Sequence, residues 1–147
     1  MSPGTVPLAD AALGLLLHQV QHQMSRRIET VLRESTGAPT LDQWRVLELL
    51  ADGAGHPMSE IAGYARVPAP TLTKIVDRLV GAALVYRRVD DADRRRVLVF
   101  LSEHGRRLHD RLAPEVTAAE QAVADELGTE QAAQLRGLLA QLADRLG

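Results

Sequence analysis

The chain is 147 residues long, enough for one domain and little more. Hydrophobic residues make up 46% and charged residues 24%, a balance that buries a core and is too apolar for disorder, while the lack of cysteine excludes disulfide scaffolds, cysteine nucleophiles, thiol sensors and thiolate zinc sites. A net charge of −2 does not by itself suggest nucleic acid, and no apolar run approaches the roughly 20 residues of a membrane span.

The stretch from Leu8 to Arg33 reads as one long helix, with apolar residues at Leu8, Ala11, Ala12, Leu15, Leu16, Val20, Met24, Ile28, Val31 and Leu32. Its start lacks the basic region and cleavage site of a signal peptide, so the cytoplasm is expected. Gly37 and Pro39 stop the helix. Thr40 is the predicted N-cap of a helix over 41–51, with Gln43 closing a capping box. Asp52-Gly53-Ala54-Gly55 is a turn, and His56-Pro57 opens a third helix, with Pro57 at its first position and Met58, Ile61, Ala62 and Ala65 as its stripe. Val67-Pro68-Ala69-Pro70 breaks the chain. A fourth helix follows over 69–81, with Leu72, Ile75, Val76 and Leu79 on one face.

Two β-type runs, 84–89 and 96–101, flank a polar stretch from Asp90 to Arg95 and predict a hairpin. Ser102 caps a helix to about Glu126, weakened or bent by Gly105 and Pro114. Gly128 ends it and Thr129 caps the last helix, whose stripe is Leu135, Leu138, Leu139, Leu142 and Leu146.

Charge is unevenly distributed along this order. Residues 58–107 hold ten basic and six acidic side chains, while 1–57 hold four and six, and 108–147 three and seven. A positive middle between acidic ends is the footprint of a nucleic-acid face, with a merely solvated face as the bland alternative. The middle is also ordered as helix, turn, helix and hairpin. The first two make a helix-turn-helix whose second helix enters the major groove. Its apolar side would face the protein, which leaves Pro70, Thr71, Thr73, Lys74 and Arg78 toward DNA. Small side chains let backbone and base edges approach, and the two cations reach phosphate or guanine. The hairpin is then a wing whose tip offers Arg94 and Arg95 to the minor groove.

These residues resemble the MarR family of bacterial transcriptional regulators. The resemblance rests on the run from Pro70 to Val80, on Asp90-Asp91-Ala92-Asp93-Arg94-Arg95-Arg96-Val97-Leu98-Val99, and on Leu101-Ser102-Glu103-His104-Gly105. It covers nearly the whole chain. The fold it implies is mainly α with a small β-hairpin wing: a winged helix-turn-helix plus terminal helices forming a dimerisation layer. Residues 1–147 would be a single MarR-type domain, with 8–34 and 103–146 as dimerisation helices and 40–101 as the DNA-binding part. The implied function is that of a homodimeric repressor on a pseudo-palindromic operator, released by a small aromatic or lipophilic, anionic effector. The resemblance pairs Asp77 with Arg95 to hold the wing and sends Arg94 into the minor groove. Pro68 and Pro57 depart from the Ser or Thr often found at those places. The family's cysteine-based peroxide sensing is ruled out here.

Other readings have weaker support. His18 and His22 lie one helical turn apart, a spacing that chelates metal, yet two ligands are too few for a zinc-responsive regulator. His104 and His109 do not share a face well. No nucleophile elbow, phosphate loop or metal triad argues for an enzyme. A winged helix that binds only protein would not need Lys74, Arg94 and Arg95 on one surface. No metal or cofactor is expected, and the partners are double-stranded DNA, a second copy and the effector, with no membrane. The second copy follows from helix accounting, because the first and last helices carry apolar stripes too broad to bury within one small domain.

Overall fold

The computed structural model describes residues 8–147. Its elements are a 3-10 turn at Leu8–Asp10, then α1 (Leu13–Arg33), α2 (Leu41–Leu50), β1 (His56–Pro57), α3 (Met58–Ala65) and α4 (Ala69–Gly81). β2 (Val85–Val89), β3 (Val97–Leu101), α5 (Glu103–Asp125) and α6 (Thr129–Leu146) complete the chain. The fold is mostly helical with one small antiparallel sheet. Among the described residues, no helix is long and apolar enough to cross a membrane. Two compact units emerge: Glu29–Val116, and residues up to Ile28 together with Thr117–Gly147. The winged unit therefore takes in the end of α1 and the first half of α5 as well as residues 40–101.

Local chemistry explains most boundaries. Thr40 Oγ1 accepts from the Gln43 N–H at 3.2 Å, and Gln43 Oε1 accepts from the Thr40 N–H at 3.0 Å. This reciprocal capping box starts α2 where the sequence predicts it. α4 begins without a side-chain cap, because Pro68 stands at that position. Pro70 in the first turn lacks a donor where the helix needs none. Ser102 caps α5 by accepting from the Gly105 N–H at 2.9 Å, while its hydroxyl donates to the Ala83 carbonyl at 2.6 Å. α5 runs on through Pro114.

Three expectations change. The first helix starts at Leu13, not Leu8; the Leu8-to-Ala11 spacing of three suits a 3-10 turn as well as an α-helix. His56-Pro57 is a strand and not a helix start: Pro57, extended at φ −70 and ψ 156, is the N-cap of α3. A two-residue strand carries no readable period, and proline is tolerated at a sheet edge because no donor is needed there. Finally, Thr129 is the first residue of α6, and Gly128 occupies the cap with no side-chain bond.

The third strand makes the sheet order β1-β3-β2. β2 pairs with β3 from Val85 opposite Leu101 to Val89 opposite Val97, and β1 pairs with β3 at His56–Val99 and Pro57–Leu98. Within the winged unit, Trp44, Leu47, Leu50, Ile61, Leu72, Val76, Leu79 and Val99 are buried almost completely. They hold α2, α3, α4 and the sheet around one core. The other unit is different. Leu13, Leu15, Leu17 and Val20 on α1 and Leu135, Leu138, Leu139, Leu142 and Leu146 on α6 stand exposed.

Candidate nucleic-acid interface

α4 divides cleanly. Leu72, Ile75, Val76 and Leu79 point into the core, and Pro70, Thr71, Thr73, Lys74 and Arg78 are all exposed. Thr71, Lys74 and Arg78 recur at the spacing of a single helix face. Thr73 Oγ1 donates to the Ala69 carbonyl at 3.1 Å, so its hydroxyl serves its own helix and presents an oxygen outward. Among the described residues, no carboxylate lies within ion-pair distance of Lys74 or Arg78. Arg66, which the sequence reading passed over, lies exposed in the turn between α3 and α4. It adopts the left-handed conformation, φ 57, as the C-cap of α3. Its place two residues before Pro68 in a helix-turn-helix was the available signal.

The wing tip is built by short polar side chains. Asp90 Oδ1 accepts from the Ala92 N–H at 3.0 Å, and Asp93 Oδ1 accepts from the Arg95 N–H at 3.1 Å. The Asp90 N–H donates to the Arg96 carbonyl at 2.9 Å, closing the turn. The arginines are thereby splayed into solvent. The Arg95 side chain is 96% exposed, with Asp93 at 3.8 Å, and Arg94 is exposed without an ion-pair partner among the described residues.

The expected pairing of Asp77 with Arg95 is corrected by the structure. Asp77 Oδ1 accepts from Arg87 Nη2 at 2.5 Å. Arg87 sits in the body of β2, opposite Val99, and β2 packs directly on α4. Arg95 lies beyond the last paired residues, Val89 and Val97, on the far side of the turn. The carboxylate is met by the nearer guanidinium.

A second set of contacts steadies the wing base. Tyr86 and Phe100 stack at 5.4 Å between centroids, 12° from parallel. The Arg88 guanidinium lies over the Phe100 ring at 5.4 Å and bonds Asp91 at 3.2 Å. Phe100 rests on Gly55, whose φ of +72 already favours glycine and where an added Cβ would collide with the ring. Beside it His56 bridges two carboxylates, Asp52 through Nε2 at 2.7 Å and Glu60 through Nδ1 at 2.9 Å. The bond to Glu60, then that to Asp52, raises the His56 pKa. The Ala54 N–H, and secondarily His56, lowers that of Asp52.

The histidines do not converge. His18 and His22 stack at 6.5 Å beside a cavity of about 590 Å³, while His109 stacks on Trp44 at 5.1 Å. Among the described residues no three His, Cys, Asp or Glu side chains gather to hold a metal. The Trp44 indole is buried, and among the described residues its Nε1 has no hydrogen-bond partner.

This arrangement has relatives. A sequence profile of the MarR family matches residues 38–96. The HTH-type transcriptional regulator FarR of Neisseria gonorrhoeae is 32% identical over 133 residues, 90% of each chain. The homoprotocatechuate degradative operon repressor of Escherichia coli is 28% identical over 100 residues, 68% of each. The crystal structure of NadR in complex with 4-hydroxyphenylacetate superposes with a TM-score of 0.77, at 30% identity over 96% of this chain and 97% of that one.

Proposed function

Because this chain belongs to the MarR family of transcriptional regulators, we propose that it is a homodimeric repressor of a pseudo-palindromic operator, released by a small organic acid. The observation that carries the reading is the division of α4, with a buried apolar face and Thr71, Lys74 and Arg78 exposed on the other side. In this reading α4 lies in the major groove and Arg94 enters the minor groove, with Arg95 and Arg66 close to phosphate. Phosphate contacts fix the register, and base edges supply the specificity. The exposed leucines of α1 and α6 receive the second copy, whose twofold axis suits two half-sites about 34 Å apart. The protein works in the cytoplasm, beside the DNA, and performs no catalysis.

Release requires a ligand that binds one spacing of the two recognition helices better than the other. The effector in this reading is a small aromatic acid. NadR, crystallised with a phenolic carboxylate, supports the same class. A coupling of about 1–3 kcal/mol would give a 5- to 150-fold loss of DNA affinity.

The test is selection of bound duplexes from random DNA, followed by fluorescence anisotropy. A palindromic site should be enriched, and 4-hydroxyphenylacetate or salicylate should weaken its binding. Enrichment of no sequence above background overturns the reading.

A further inference from the structure

The base of the wing is tied to the helix-turn-helix through one imidazole. His56 pairs with Val99 on the central strand, and the preceding Gly55 rests on Phe100, which stacks on Tyr86 and lies under the Arg88 guanidinium. The His56 imidazole also reaches Asp52, in the turn after α2, and Glu60, on α3. Its side chain is 16% exposed, against 47% and 57% for the two carboxylates, so the imidazole is packed while its partners touch water. β1 packs on α3 and β3. Asp52 and Glu60 are the charged groups that face the ring, β3 presents the uncharged Leu98, Val99 and Phe100, and Arg106 of α5 is committed to the Ala51 carbonyl at 3.2 Å, beside Asp52.

The two contacts count protons. Nε2 lies 2.7 Å from Asp52 and Nδ1 2.9 Å from Glu60, hydrogen-bond distances on both sides of the ring. A neutral imidazole carries one N–H and an imidazolium carries two, so only the imidazolium donates to both carboxylates. Once the proton is lost, one ring nitrogen turns a lone pair toward a carboxylate oxygen, and that contact must lengthen. The bond to Glu60, then that to Asp52, accordingly strengthens the hold of the ring on its proton.

On the reading of the wing as a minor-groove arm, we infer that His56 is a positioning residue for DNA binding: as an imidazolium it clamps the wing root to α3 and to the turn after α2, and as a neutral ring it releases one of these arms. A bound duplex needs the wing and α4 in one fixed relation, so a released clamp has to re-form on binding, and affinity falls by that fraction. By reciprocity, DNA strengthens the hold of His56 on its proton.

The experiment follows the anisotropy of a duplex selected from random DNA, with the full-length protein at constant ionic strength, from about pH 6 to 8.5. Affinity of the natural chain should fall roughly fivefold or more over that range, the lower end of ordinary coupling. His56→Gln, with no proton to lose, should lose most of this slope. Glu60→Gln separates a proton switch from a plain structural tie. Its new amide donates to the lone pair of the neutral ring while the Nε2–H serves Asp52, so this variant should keep tight binding at the alkaline end. A plain tie would weaken at every pH once the Glu60 charge is gone. In the natural chain, the His56 ring protons followed by NMR should titrate at a higher pH with the duplex bound than without it. Three results overturn the inference and leave the DNA reading standing: equal pH slopes in the natural chain and His56→Gln, weak binding by Glu60→Gln across the range, or a His56 titration that the duplex does not move. A selection that enriches no duplex at any pH overturns the DNA reading and this inference with it.

Discussion

Arg87 and Arg95 show how one residue's place decides its role. The Asp77–Arg87 bond is half exposed, so the pair is worth at most about 1 kcal/mol. Urea unfolding of Asp77→Ala, Arg87→Ala and the double variant should return a coupling below about 1 kcal/mol, whereas Asp77→Ala and Arg95→Ala should be additive. Arg94→Ala leaves the fold intact and reduces the salt slope of log K by about 1–2 units per dimer, read by anisotropy across a salt series. His56 carries a pH signature. Its pKa is raised in the folded chain, so its contribution is complete below its ordinary value of about 6.5 and is lost as pH rises through the folded value. Asp52, lowered, contributes above its ordinary value of about 3.9 and loses that contribution as pH falls. The clasp is therefore strongest between about pH 4 and 6.5. Urea midpoints should decline as pH rises above about 6.5 in the natural chain and decline less in His56→Gln.

Elements with strong local chemistry were legible in advance. The Thr40–Gln43 box, the bounds of α4 and both strands of the hairpin follow from side-chain oxygens, helical period and β-branched runs. Thr40→Ala should accordingly cost about 1 kcal/mol in urea unfolding, the ordinary worth of an N-cap. β1 was not legible. Two residues have no periodicity, and their pairing with Val99 and Leu98 is set by a strand some forty positions away in the sequence. The partner of Asp77 was hidden for a similar reason: Arg87, Arg88, Arg94, Arg95 and Arg96 all lie near, and only the packing of β2 on α4 selects among them. Arg66 was passed over because its left-handed turn as the C-cap of α3 has no signature in the sequence. The exposed face of α4, by contrast, was fully implied by the four apolar residues opposite it. Gly55→Ala tests the wing base. It should lower stability by about 1–3 kcal/mol in urea unfolding, since the ring of Phe100 must move and φ stays positive.

For the molecule as a whole, the proposed dimer rests on the apolar helices outside the winged unit. Leu138 is 64% exposed and Leu146 78%, an arrangement that a lone small protein rarely keeps. The natural chain should sediment as a dimer at about 10 μM, and Leu138→Asp with Leu142→Asp as a monomer. A natural chain found only as a monomer at that concentration removes the dimer from the proposed function. The order β1-β3-β2 also imposes a gradient of hydrogen exchange across the chain. Leu98 and Val99 have a strand on either side and share their unit with the buried core, so their amides open only in large unfolding events. A few residues away, Asp91 to Arg95 are held by turn bonds alone and trade their protons quickly with water. The slowest and fastest amides of the wing should thus be neighbours on one hairpin, a root locked between two strands carrying a tip held by its own turn.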